Sequence, residues 1–230
     1  MAEIIYGVRP VVEALKGRRR VIEVFDASNN AEVRAVAGGV PVEKARRQRL
    51  DELARGGVHQ GVVARVEAYP YSGLGEILAR PEPLILVLDG VTDPRNLGAV
   101  LRVADGAGAS GVVLPKNRAV GVTAAAVKAS AGASEHVRVA RETNLRRAVE
   151  GIKEAGVWVY AAEAGGTDYA ELDLGGPVTL VFGSEGKGVR RLVREACDGV
   201  VSVPMLGAVS SLNVSVAAAV LAYEARRRRG

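Results

Sequence analysis

Residues 84–91 read LILVLDGV, an apolar run without the polar alternation of a strand that faces water on one side. Such a run must be covered on both faces, and parallel sheets flanked by helices meet that requirement. Similar runs recur in GVVLP, VWVYAAE, PVTLVFGSE and VVSVPM. Between them lie NLGAVLRVADGAG, TAAAVKASAGA, TNLRRAVEGIKEAG and VRRLVREACD, whose apolar residues recur at helical spacing, and a long final helix follows. Strands alternating with helices predict an α/β domain built on a parallel sheet over residues 84–230.

Ahead of this region, residues 1–68 predict a smaller α/β unit. VVEALKG reads as a helix, VIEVFDA as a strand, PVEKARRQRLDELARGG as a basic helix and HQGVVARVEA as a strand. Residues 69–83 hold Pro70, Pro81 and Pro83 and read as a linker. A chain of 230 residues with 48% hydrophobic content has room for a small domain and a medium one. No apolar run approaches the roughly 20 residues that span a bilayer, and MAEIIYGVRP lacks the pattern of a signal peptide. The lone Cys197 cannot form an internal disulfide and fits a reducing cytoplasm, the expected location. His59 and His136 stand apart, so no metal-ligand spacing exists and no metal is expected.

GAGASG, residues 106–111, spells the G-x-G-x-x-G of a dinucleotide loop. That loop must follow a strand and open a helix, so that phosphates meet free N–H groups. Here a helix precedes and a strand follows, so the glycines read as a C-cap and a tight connection. GSEGKG likewise lacks the Ser or Thr that follows the lysine of a phosphate loop.

The net charge of +5 is unevenly placed. Residues 1–68 carry 12 basic and 9 acidic side chains, residues 69–225 carry 15 and 17, and Arg226 to Arg229 add four more positive charges. Basic ends on a near-neutral body suit contact with nucleic acid, and 25 of the 31 basic residues are Arg, whose planar fork matches phosphate. With only 4% aromatic residues, RNA binding should rest on charge, shape and loops rather than on a base-stacking sheet.

In open parallel sheets ligands bind beyond the carboxyl ends of the strands. Three such loops carry polar residues: TDPRNLGAVLR after LILVLDGV, GSEGKG after VTLVF, and MLGAVSSLNVS after VVSVP. DGVTDPRNLGAVLRVADGAGA, LVFGSEGKG and VPMLGAVSSLNVSVAAAVLAYEARR resemble, in order and spacing, the three motifs of the SpoU family of RNA ribose 2′-O-methyltransferases. IYGVRPVVEAL and VHQGVVARV resemble the ribosomal protein L30e-like substrate domain of bacterial 23S rRNA guanosine-2′-O-methyltransferases.

The resemblance implies a SPOUT catalytic domain with a trefoil-knotted parallel sheet, an unusual topology for any chain. It implies S-adenosylmethionine as methyl donor, a homodimer, and RNA as substrate, with 23S rRNA favoured over tRNA or another rRNA site. A non-catalytic RNA-binding module is the alternative from another class. By residue, Gly183, Val203, Met205 and Leu212 match the cofactor-binding positions. Arg102 matches the catalytic arginine, and Asn96, Glu185, Ser211 and Asn213 match the polar residues around it. Arginine, with a pKa above about 12, is a poor base, so phosphate orientation and oxyanion stabilisation suit Arg102 better, with Ser211 relaying the proton.

The basic helix yields a test. Replacing Arg46, Arg47 and Arg49 together should weaken RNA binding and flatten its salt dependence, each lost phosphate contact removing roughly one unit of slope in log K against log salt. Filter binding across a salt series measures this, and an unchanged slope would make the helix a solvated surface.

Overall fold

The computed structural model describes residues 2–184 and 186–230. Among these residues the strands form two sheets. The smaller holds β1 (Glu3–Tyr6), β2 (Val21–Asp26), β3 (Val42–Lys44) and β4 (Val62–Val66) in the order β1-β4-β2-β3. Helices α1 (Val8–Lys16), α2 (Ala31–Val36) and α3 (Arg47–Ala54) accompany it. The segment expected as one basic helix is divided: Val42 pairs in parallel with Val24, and the helix starts only at Arg47. The β-branched Val42 after Pro41 finds an open sheet edge, a tertiary partner that local periodicity does not register.

The larger sheet holds β5 (Leu84–Asp89), β6 (Gly111–Pro115), β7 (Val139–Glu142), β8 (Trp158–Asp168), β9 (Val178–Gly183) and β10 (Gly199–Ser202). Its order is β10-β8-β9-β5-β6-β7, with every pairing parallel. Leu84, Leu86, Leu88, Leu180 and Phe182 enter the apolar cluster on one face, with residues of α5 (Pro94–Gly106), α6 (Ala124–Ala129) and α9 (Val214–Arg227). Ile85, Val87, Val159 and Val181 enter the cluster on the other, with residues of α4 (Leu74–Leu78), α7 (Leu145–Glu154) and α8 (Arg191–Arg194). Burial on both faces is why these strands lack alternation. From β10, at one edge, the chain returns past β8 so that α9 packs on α5, β5 and β9.

The GAGASG stretch closes a helix, as its context predicts. Gly108 has φ 66, Ala109 N–H donates to Ala104 O (2.8 Å) and Gly108 N–H to Asp105 O (3.0 Å). These two bonds form a Schellman cap, and β6 follows at Gly111. β8 runs on past Glu163 to Asp168 because Gly165 (φ 78) and Gly166 let it re-register on β10; a Cβ on Gly166 would lie 2.6 Å from Val200 O.

Segment 69–83 joins the sheets. Ser72 bridges to Ala140 and so covers part of the outer edge of β7, while Ile77 is buried in the second cluster. Tyr69 is buried and donates to Ser134 O (2.7 Å). Arg19, from the small sheet's side, lies 4.9 Å over its ring and 3.3 Å from the buried Glu135 carboxylate. Burial raises the pKa of both Glu135 and the Tyr69 phenol.

Two of the four C-terminal arginines reach other segments: Arg228 donates to Ala170 O (2.7 Å), and Arg229 is half-buried. Arg227 and Arg228 pair with Glu224 (2.8 and 2.6 Å), and Arg229 donates to Glu82 O and Gly176 O. Arg229 thus anchors the end of α9 to the sheet's amino end, while the Glu224 pairs lie within the helix.

Two helical glycines should respond oppositely to alanine. At Gly98 in α5 a Cβ would lie 2.5 Å from Ala129 Cβ and 2.6 Å from Ala126 O, whereas at Gly151 in α7 nothing stands within 4 Å. Gly98→Ala should lose about 1–2 kcal/mol, overpacking outweighing the roughly 1 kcal/mol of helix propensity. Gly151→Ala should gain about 0.5–1 kcal/mol, which urea unfolding of the two variants will read.

Candidate active site

The carboxyl ends of β5, β9 and β10 lie on one edge of the sheet, and the three polar loops meet there. The first turns at Gly90 (φ 86) and opens α5, where Asp93 is the N-cap and accepts from Arg95 N–H (2.8 Å). Asn96 follows in the first turn, half-buried. Leu97, Val100, Leu101 and Ala104 face the core, which leaves Arg102 on the exposed side. Among the described residues Arg102 makes no hydrogen bond or ion pair.

The second loop doubles back on β9. Ser184 N–H donates to Gly188 O (3.2 Å) and Gly188 N–H to Ser184 O (3.0 Å), with Gly186 and Gly188 at φ 77 and 65. Gly183 has no room for a side chain, since a Cβ would fall 1.9 Å from Gly188 C and 2.2 Å from Val189 N. Its lack of a Cβ is therefore a demand of this fold-back. Glu185 lies outside the described residues.

Two carboxylates that sequence reasoning missed hold the far end of this loop. Asp89, with a fully buried side chain, accepts from Arg190 N–H (2.8 Å) and Arg190 Nε (2.6 Å) and lies 2.6 Å from its Nη2. Glu163 on β8 accepts from Val189 N–H (2.9 Å) and lies 3.4 Å from Arg194. The available signal for Asp89 was a charge closing an otherwise apolar buried run, since such a group needs a partner. Burial pushes the nearby Cys197 thiol up to about 12, so it is no thiolate at neutral pH.

The third loop begins with the half-buried Val203 and Met205 and ends at Asn213, N-cap of α9. Asn213 accepts from Ser215 N–H (2.9 Å) and donates to Asn96 Oδ1 (3.1 Å). That bond joins the first and third loops; Gly90 beside Ser184, with Asp89 and Arg190, joins the first and second. Ser211 is exposed, and so are Leu206, Val209 and Leu212, at 99%, 68% and 36%. Among the described residues no main-chain group from Pro204 to Leu212 is hydrogen-bonded. The structure thus unites Asn96, Asn213, Gly183 and the start of the third loop along one edge, while Arg102 stands on α5 without touching them.

The exposed face of α5 continues onto α9. Tyr223 Oη lies within 2.5 Å of where a Gly106 Cβ would be, and Val216 and Tyr223 are 47% and 52% exposed. On the small sheet's side, Arg46, Arg47 and Arg49 are exposed, and Arg49 also lies 5.1 Å over the Phe25 ring and 4.0 Å from Glu43. Among the described residues no three His, Cys, Asp or Glu side chains gather as a metal group.

Residues 83–223 match the SpoU rRNA Methylase family, and residues 4–72 match the RNA 2′-O ribose methyltransferase substrate binding family. The chain is 45% identical over 244 residues to the 23S rRNA (guanosine-2′-O-)-methyltransferase RlmB of Yersinia pestis, covering 100% of this chain and 99% of that one. It is 43% identical over 243 residues to the enzyme of that name from Escherichia coli (strain K12), covering 100% of both. Among solved structures, the SpoU methyltransferase AviRb from Streptomyces viridochromogenes in complex with the cofactor AdoMet superimposes with a TM-score of 0.85 at 28% identity, covering 98% of this chain and 89% of that one. With the family match spanning the three loops and every strand of the sheet beneath them, the chain belongs to the SpoU rRNA Methylase family.

Proposed function

We propose that this chain transfers a methyl group from S-adenosylmethionine to a ribose 2′-hydroxyl of RNA, a guanosine of 23S rRNA, acting in the cytoplasm as a homodimer. Residues 1–68 engage the RNA, 69–83 link, and 84–230 carry the reaction. The observation that carries this reading is the third loop: a stretch of unpaired main chain with exposed Leu206, Val209 and Leu212, set at the carboxyl ends of parallel strands. Purine ligands are held by apolar cover and a few main-chain N–H and C=O groups, which is the donor set here. Gly183, Val203, Met205 and Leu212 would hold the cofactor, which supplies an electrophilic methyl group when bound.

The chain's own residues then have separable tasks. Asn96 and Asn213, joined at 3.1 Å, fix the edge against which the ribose lies. Arg102, exposed and charged, orients the target phosphate and stabilises the oxyanion as the 2′-hydroxyl loses its proton. Ser211, exposed, relays that proton to solvent water, its hydroxyl giving up its own proton as it accepts one, and Glu185 completes the polar set. Holding oxygen and methyl in line supplies much of the rate. The apolar exposure of Val216 and Tyr223 on α9, which packs against α5, supports the homodimer, because a second copy covering the exposed face of both helices would enclose Arg102.

Calorimetry should detect S-adenosylmethionine and its demethylated product, with NAD and ATP binding far more weakly; tight NAD binding without methyl-donor binding would end the reading. Arg102→Ala should keep the fold, the dimer and cofactor binding yet lose at least about a hundredfold in methyl transfer, the scale of one missing transition-state stabiliser. Arg102→Lys should restore little, because a point charge does not reproduce the fork. An alanine variant that methylates at the wild-type rate removes Arg102 from the mechanism, and one that fails to fold or to bind the cofactor makes it structural.

A further inference from the structure

A cavity of about 320 Å³ beside β6 and β7 lies outside the three loops and is lined by Tyr71, Ser72, Lys116 and Arg141. Lys116 directly follows β6 and Arg141 lies in β7, so the cavity opens on the same carboxyl edge as the active site, one to two strands beyond β5. Strands in a sheet are about 4.8 Å apart, which sets the two sites roughly 5–10 Å apart along the edge. The loop after β6 is also tied to the first active-site loop, since Val120 N–H donates to Val91 O (3.0 Å).

The cavity's charge is positive and uncompensated. Among the described residues neither Lys116 nor Arg141 has an ion-pair partner. Arg141 is held rigidly: its Nη2 donates to Lys116 O (2.6 Å) and its guanidinium lies 5.3 Å over the Tyr71 ring. Tyr71 is itself fixed, because Val122 N–H donates to its hydroxyl (2.9 Å). Arg141 Nη1 is neither buried nor hydrogen-bonded among the described residues, so a donor remains for a ligand that the protein does not supply. Arg18, from the small sheet's side, donates to Ser72 Oγ (3.3 Å), so the cavity also adjoins the substrate-binding region.

A pre-set arginine fork beside a flexible lysine is a donor set for a phosphate. Resting on the RNA methylation proposed above, we infer that Lys116 and Arg141 form a subsite for a backbone phosphate of the RNA strand flanking the methylated nucleotide. A strand running from the small sheet to the β5 loop crosses this cavity, and the subsite sets its register.

The test uses the full chain with a protein-free 23S rRNA transcript, comparing wild type, Lys116→Ala, Lys116→Glu, Arg141→Lys and, as control, Arg146→Ala on the exposed surface of α7. Filter binding should show the slope of log K against log salt falling by about 0.7 for Lys116→Ala, the value of one single-strand phosphate contact. KM for the transcript should rise about tenfold for both Lys116 variants, with kcat within about twofold, the pattern of lost ground-state binding. Arg141→Lys should raise KM while keeping the salt slope, because the charge stays and the fork is lost. Slopes and KM values equal to wild type for both Lys116 variants would overturn the subsite, as would an equal fall in the Arg146→Ala control. If the wild-type chain binds but does not methylate the transcript, the proposed function fails, and the salt slopes alone still decide the subsite.

Discussion

Asp89 ends the central strand of the large sheet with a buried carboxylate, and it meets the main chain and guanidinium of Arg190 at 2.6–2.8 Å. A buried charge without partners is strongly destabilising, so the 184–190 loop must return to β5 for the fold to form. That return presses Gly188 and Val189 against Gly183, which is why position 183 has no room for a Cβ. Glu163 clamps the same loop from β8. The second loop's place beside the first therefore follows from one ion pair and one close backbone approach.

The third loop is built on the opposite principle. It is anchored at its start by Val203 against the core and at its end by the Asn213 cap, while the main chain between has no partner among the described residues. Unpaired polar groups are tolerable here because they lie on the surface. The site therefore sets one rigid wall against one open strap, joined through Asn96 and Asn213.

The small sheet is joined to the large one by contacts in which charge is prominent. Arg19 beside the buried Glu135, Arg18 on Ser72 and Val137 O, and Lys128 on Gln60 all cross between the two regions. Such contacts are directional, and removing one partner of a buried pair leaves the other uncompensated, so they favour one relative arrangement of the RNA-engaging and loop-bearing parts.

Much of this was legible before any coordinates. The continuous apolar runs specified a parallel sheet because water must be excluded from both faces, and the order of helix and strand around GAGASG specified a cap rather than a cofactor loop. The three strand-end loops were found because chemistry in such sheets collects at carboxyl ends. What the chain alone could not show depended on partners distant in sequence. Val42 became a strand because β2 left an edge open, Asp89 found Arg190 about a hundred residues away, and Arg229 found carbonyls at Glu82 and Gly176. Tyr71, Lys116 and Arg141, scattered over seventy residues, became one cavity only when β6 and β7 paired and Ser72 bridged to the outer strand. Local periodicity reports which face of an element is buried; which side chains then meet depends on how the whole chain closes its sheets.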